Sequence, residues 1–508
     1  MSTRNIYQLV KKCSHLNPEK AACIYQGNTV SYRELISKVD NLASGLGHIG
    51  VRKGSKIALF CPNNLDFVYS LLACAKLGAA IAPLPLTLQG QALSKAVEAA
   101  DCEYAIAWST VAKRLLDEQL IAMPKLVVLG NHQLDAVAFE TLVNNKHLEH
   151  PFVEDVSIDL PFILTMTSGS TGSPKPIVFT QATKIKRAFD ATIEYYKLSS
   201  DDKVLVSTPL YHSLAQRSLL VPLMLGATAV ILPKFSVNAW VEAVEQYRVS
   251  FLFAVSSQLI ALLPELKEAK LSSLKCVVSS SATLEAGAKS QLLDVLSCCF
   301  HECYGASEMG VISDFDVTKQ GVPVESVGKP LPSLYVKICD NARREVAVGE
   351  TGEIACLSQT AFAGYYQQPA QTQASYDDEG YFYTGDLGYV DKEGYLYYIG
   401  RSKEVIKSGG INVFPGDIEL VVNQLHWIQE CAALGVEDAQ FGEVILLSVV
   451  CNTEAPENVE MALRMYLLSQ LTDYQQPRQF MVLPSLPKTG MGKIHKPSIK
   501  ELYLKKQV

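Results

Sequence analysis

No stretch of this sequence is long and apolar enough to span a bilayer. The longest uncharged run, Ser218–Pro233 (SLLVPLMLGATAVILP), falls short of the roughly 20 residues a spanning helix needs and is broken by Pro222 and Gly226. It reads as a buried helix followed by a buried strand. A long basic run is also missing, and the formal net charge is −7. That argues against a nucleic-acid partner but leaves room for a local basic pocket for a phosphorylated ligand. The N-terminus, MSTRNIYQLVKKC, lacks the apolar stretch of a signal peptide and has no glycine at position 2. Of the thirteen cysteines, the closest set is Cys298, Cys299 and Cys303, without a second pair or nearby histidines at zinc spacing. Reduced, buried thiols in a cytoplasmic protein are the expectation. There is no internal repeat and no low-complexity tract.

What is present is ample core material. Apolar residues make up 48% and charged residues 19% of 508, too long a chain for one hydrophobic core. Strand-like and helix-like segments alternate: KIALFC (56–61) then LDFVYSLLACAKLG (65–78); ATAVILP, NAWVEAVEQYR, VSFLFAV; LKCVVSS, TLEAGAKSQLLDVL. This α/β rhythm predicts parallel sheets covered by helices. From about residue 325, glycines and aromatics at strand spacing predict an antiparallel barrel or meander. After GRSKE (400–404) a compact α+β segment follows, with IELVVNQL and VILLSVVC as its core. The domains expected are 1–400, a hinge at 401–403, and a small mobile domain at 404–508.

Residues 167–176, TSGSTGSPKP, follow the apolar strand PFILTM. Glycines let backbone N–H groups curl around phosphate oxygens, hydroxyls add donors, and Lys175 adds a mobile positive charge. The spacing is not that of a Walker loop, because Pro174 precedes the lysine. In YGASE (304–308) an aromatic is available to stack on a base and a carboxylate to hold Mg²⁺. In YTGDLG (383–388) Asp386 sits in a glycine-bounded turn suited to ribose hydroxyls. GRSKEVIKSGGINVFPGDIE (400–419) joins two domains, and LPKTGMGKIHKP (486–497) presents Lys493. Taken singly, TSGSTGSPKP reads as a phosphate-binding loop rather than a flexible linker, whereas each of the other four motifs is about as well read as a plain surface loop.

In this order the five motifs resemble the adenylate-forming superfamily of acyl-CoA synthetases, adenylation domains and firefly luciferase, from VSYRELISKVDNLASGL (30–46) to GKIHKP. The resemblance implies that a carboxylic acid is activated with ATP to an acyl-adenylate, releasing pyrophosphate, and then passed to the thiol of CoA or a carrier-protein phosphopantetheine. It implies that Thr167, Ser168, Gly169, Ser170, Thr171, Gly172 and Lys175 form a mobile loop over the β- and γ-phosphates. Tyr304 and Gly305 line the adenine site, Ser307 (threonine in most relatives) meets the AMP phosphate, and Glu308 carries Mg²⁺. Asp386, helped by Arg401, binds the ribose. Lys493 bridges the carboxylate and the α-phosphate, Lys403 is the hinge, and Gly410 flanks the pantetheine channel. His212, in PLYHSLAQ, matches a histidine beside the acyl and thiol site.

Departures bear on substrate. No acidic residue occurs from Thr208 to Val237, which disfavours an α-amino acid. SSSATL (279–284) stands where many relatives have SGGAPL, and Pro176 and Gln181 replace a usual glycine and histidine. Arg217 reads as a solvated or locally paired arginine near a helix start, with a dicarboxylic substrate's second carboxylate as the alternative. The leading expectation is a CoA ligase for a small or medium organic acid, monomer or homodimer. The alternative is a free-standing enzyme loading a carrier protein. A non-catalytic adenylate binder would not need Lys493, and a luciferase-type oxygenase would share only the first half-reaction.

Overall fold

The computed structural model describes residues 4–145, 156–167, 175–267, 269–281, 284, 286–408, 411–438, 440–489 and 493–507. The chain divides into two compact units: Met1–Val324 with Leu331–Leu334 and Leu357–Tyr381, and Glu325–Pro330 with Tyr335–Cys356 and Phe382–Val508. The barrel-like segment after residue 325 thus groups mainly with the C-terminal segment, and residues 401–403 fall inside the second unit.

The first unit holds two helix-covered sheets. One runs Val137–Ala138, Leu126–Leu129, Tyr104–Trp108, Lys56–Phe60, Ala80–Pro83, Pro161–Thr167, Lys175–Thr180. Its strands are parallel except the last, which returns antiparallel at the edge. In the other, Gly310–Asp316 is followed in order by Cys299–Ala306, Cys276–Ser280, Phe251–Val255, Lys203–Val206, Thr228–Ile231, Ala21–Tyr25 and Asn28–Ser31. Its central strands, from Cys299–Ala306 to Ala21–Tyr25, are parallel. They read as unbroken apolar runs because helices cover both faces; Phe251, Leu252, Phe253 and Ala254 are all buried. Ser218–Pro233 is what its sequence predicts: the end of the helix Ser213–Leu225, a left-handed stop at Gly226, and the strand Thr228–Ile231.

The second unit contains an open four-stranded meander, Leu334–Cys339, Gly352–Ser358, Phe382–Val390, Leu396–Arg401. It also contains a small sheet built on the long hairpin Ile428–Asp438 and Gly442–Cys451. Helix residues Ile418 and Val422 and strand residues Ile445, Leu447 and Val449 share one core, as the apolar spacing predicts. Among the described residues no helix is long and apolar enough to cross a membrane.

Candidate active site

In open α/β sheets, ligands collect outside the carboxyl ends of the strands, where strand order reverses. In the first sheet the order reverses at Lys56–Phe60, which is flanked by the next strand on one side and the one after on the other. In the second it reverses at Lys203–Val206. Asn63 joins the two points. It follows the first of these strands, is buried, and donates from Nδ2 to the Thr208 carbonyl at 2.9 Å and the Leu232 carbonyl at 3.3 Å. Its Oδ1 accepts from the Leu210 N–H at 2.8 Å. One side chain therefore fixes the loop that ends in His212, which starts the helix Ser213–Leu225 and packs on Tyr211 with ring centroids 4.3 Å apart.

Tyr304, Gly305, Ser307 and Glu308 lie at the carboxyl end of Cys299–Ala306, where the chain turns back into Gly310–Asp316. Gly305 is required by close approach: a Cβ there would overlap the Gly310 carbonyl across the ladder. The turn is held from behind by Arg187. Its guanidinium donates to the carbonyls of Thr360 (2.8 Å), Ser307 (3.0 Å) and Glu308 (2.7 Å). Residues 362–365 form a strut: Phe362 N–H donates to the Glu308 carbonyl, and Ala363 and Gly364 pair with Val178. The strut thus ties the Glu308 turn to the edge strand that begins at Lys175. Thr167 and Lys175 are direct cross-strand partners at the end of their ladder. Ser168, Gly169, Ser170, Thr171 and Gly172 lie outside the described residues, as does Gly410.

Glu308 Oε1 accepts from the Tyr365 hydroxyl at 3.0 Å. Among the described residues no group of three acidic, histidine or cysteine side chains is placed to cage a metal. A single carboxylate fits Mg²⁺, which keeps its waters and shares its remaining positions with substrate phosphates.

In the second unit Asp386 is buried on Phe382–Val390. Gly385, with φ +73°, takes the left-handed turn that leads into it. The Thr384 hydroxyl accepts from the Asp386 N–H at 3.1 Å and donates to the Ile354 carbonyl at 2.8 Å. Arg401 Nε lies 2.8 Å from Asp386 Oδ1. Lys493 enters the same field through a local closure: Thr489 N–H donates to the Lys493 carbonyl, and His495 N–H to the Pro487 carbonyl. Withdrawal from water lowers the Lys493 pKa first and the Arg401 charge second, with Asp386 and Glu404 opposing. Lys496 sets Glu404, pairing with it at 3.2 Å and with Glu419 at 2.9 Å. Lys403 is exposed in the short turn Ser402–Glu404.

Sequence reasoning missed Asn63 and Arg187, because neither lies in a recognisable motif. It left Gln181 without a role. That side chain is buried, accepting from the Ile6 N–H at 2.8 Å and donating to the Ala75 carbonyl at 3.0 Å. Arg217 differs from the solvated reading: its Nη1 is buried and has no hydrogen-bond partner.

The two helix-covered sheets of the first unit and the meander and small α+β segment of the second make up the fold of an adenylate-forming enzyme. The chain belongs to the AMP-binding enzyme family, whose model matches residues 10–366 and whose C-terminal-domain model matches 417–493. It is 30% identical to indoleacetate–CoA ligase of Aromatoleum aromaticum over 97% of this chain and 96% of that one. It is 30% identical to feruloyl-CoA synthase of an Amycolatopsis species over 96% and 97%. In fold it is similar to ATP-bound MatB from Rhodopseudomonas palustris, with a TM-score of 0.88, 24% identity, and 98% and 99% of the two chains covered. The chain is an AMP-forming acid–thiol ligase of the acyl-CoA synthetase class.

Proposed function

We propose that this enzyme joins a small or medium organic acid to CoA through an acyl-adenylate, using Mg·ATP. The observation that carries the reading is Lys493 sharing one charged neighbourhood with Arg401 and Asp386. A protein that only bound a nucleotide would not need a cation of depressed pKa beside its ribose-binding pair.

The carboxylate and the α-phosphate that must meet are both anionic, so catalysis is positioning plus cancellation of charge. In this reading Thr167, Ser168, Gly169, Ser170, Thr171, Gly172 and Lys175 cover the β- and γ-phosphates. Tyr304 and Gly305 flank the adenine, and Ser307 meets the α-phosphate. Glu308 holds Mg²⁺, which neutralises the phosphate charge when bound. Asp386 accepts from the ribose hydroxyls, oriented by Arg401. Lys493 supplies the cation between the two reacting anions. Residues 404–508 then turn about Lys403, withdrawing Lys493 and bringing Gly410 to the pantetheine path, with His212 beside the acyl group. A cytoplasmic setting suits a chain that keeps its thirteen cysteines as thiols.

The test is incubation with ATP, Mg²⁺, CoA and a mixture of carboxylic acids, read by mass spectrometry. An acyl-CoA names the acid and the acceptor together. An acyl-adenylate without acyl-CoA points to the second reading, transfer to a carrier protein. That reading draws on the 28% identity to a stretch covering 21% of the dimodular nonribosomal peptide synthase of Bacillus subtilis.

A further inference from the structure

Three cations meet inside the first unit. Lys184 and Arg187, on the helix Gln181–Ala188, are almost fully buried at 5% and 4% exposure. Arg217 comes from the helix Ser213–Leu225. Together with Ser213, Leu220 and Val221 they line a small cavity, and no lining residue is acidic. Among the described residues none of the three makes an ion pair. Burial and the two guanidiniums hold the Lys184 pKa well below the ordinary lysine value.

The three are not equivalent. Arg187 is spent on the carbonyls of Ser307, Glu308 and Thr360. Lys184 has one hydrogen bond, donated to Gln216 Oε1 at 2.9 Å, and lies 4.0 Å from the centre of the Phe179 ring. Arg217 lies over the Phe253 ring at 5.2 Å, and its Nη1 is buried without a partner. Glu308 attracts Arg187 through space, but its carboxylate bonds to Tyr365. Holding two buried cations and a half-buried guanidinium together with no acidic lining residue is costly, and an unsatisfied guanidinium N–H adds to that cost. Such an arrangement is explained by an anion that arrives with a ligand.

Position says which ligand. Ser213 follows His212, and Arg217 is one helical turn further on. Arg187 ties the cluster to the back of the Ser307–Glu308 turn. Resting on the adenylation reading above, we infer that the cavity is the far end of the acid pocket. There Arg217, with Lys184 beside it, binds a second carboxylate on the substrate. The enzyme is then a ligase for dicarboxylic acids: one carboxylate goes to the α-phosphate and the other is held by Arg217.

The test uses the full-length enzyme with ATP, Mg²⁺ and CoA, and acids paired by length: succinate with butyrate, glutarate with valerate, adipate with hexanoate. Sulfonate- and phosphonate-ended acids of matching length complete the set. The wild type is expected to favour a dicarboxylate over its monocarboxylate partner by on the order of 10²-fold or more in kcat/KM, because a site built to hydrogen-bond a group rejects the analogue lacking it. Arg217→Leu should collapse that ratio toward one, and Arg217→Lys should restore part of it. Equal or better use of monocarboxylates by the wild type would overturn the inference, whether or not the variants fold. So would an unchanged ratio in a folded Arg217→Leu protein. A sulfonate or phosphonate preferred over the dicarboxylate would overturn the carboxylate assignment. Monocarboxylates activated well with no use of any dianion would sink this inference and leave the adenylation reading standing. Failure with every one of these acids while an aromatic monocarboxylic acid is turned over would likewise overturn this inference and leave the adenylation reading standing.

Discussion

Asp386 and Arg401 face each other as cross-strand partners in the meander, and Arg401 Nε lies 2.8 Å from Asp386 Oδ1. The pair is lopsided: Asp386 is buried, whereas the Arg401 side chain is 46% exposed. Burial lowers the pKa of Lys493 most and Arg401 lowers it further, while the carboxylates of Asp386 and Glu404 partly restore it.

That balance sets a pH dependence. A lysine of lowered pKa loses its proton earlier as pH rises, so adenylation should decline on the alkaline side sooner than an ordinary lysine would dictate. Glu404→Gln removes one of the two supporting carboxylates without touching the proposed ribose ligand. The alkaline limb of the kcat profile, at saturating ATP, should move to lower pH. A limb that stays in place would show that Lys493 is not the titrating group.

Lys493→Ala should lower acyl-adenylate formation on the order of 10²–10³-fold, the usual loss when one preorganised donor to a developing anion is removed. Pyrophosphate release measured without CoA reports this step. A bulky residue at Gly410 should do the reverse, sparing adenylation while blocking thioester formation. Equal loss of both steps in the Gly410 variant would count against the two-conformation cycle.

Arg187 is a structural clamp as well as a member of the cation cluster. Arg187→Met leaves the Thr360 carbonyl without its donor and removes one of two donors from the Glu308 carbonyl, which keeps the Phe362 N–H. A buried group left unpaired costs about 1–3 kcal/mol, and of the three only Thr360 is buried, so the variant should lose about 1–3 kcal/mol. The midpoint of urea unfolding measures it. A loss below about 1 kcal/mol would mean that water replaces the guanidinium.

Ser281, in the SSSATL segment, adopts φ +78°, a region disfavoured for residues with a Cβ. Ser281→Gly should therefore leave stability unchanged or raise it by up to about 1 kcal/mol, since relief of strain offsets the added freedom of the unfolded chain. Ser281→Val should destabilise by about 1–2 kcal/mol. Thermal unfolding of both variants distinguishes this from a segment that tolerates any side chain.

Much of the molecule is legible in the sequence. Apolar periodicity marked Lys56–Phe60, Leu65–Leu77, Val237–Tyr247 and Phe251–Val255, because burial of a strand or helix face leaves a local imprint. The five ordered motifs carried the adenylate-forming class through their resemblance to that superfamily, while the glycine, hydroxyl and lysine pattern by itself pointed only to an anion.

Tertiary structure decided the rest. Asn63 bridges the switch points of two sheets, and Arg187 reaches carbonyls at positions 307, 308 and 360. Gln181 locks the N-terminal helix, and Arg217 hides an unpartnered N–H beside Lys184. Nothing in a local pattern distinguishes these from surface polar residues. Their roles depend on which distant backbone groups or charges the fold places within 3 Å or so, the reach of a hydrogen bond, and that is settled only when the sheets pair and the helices pack.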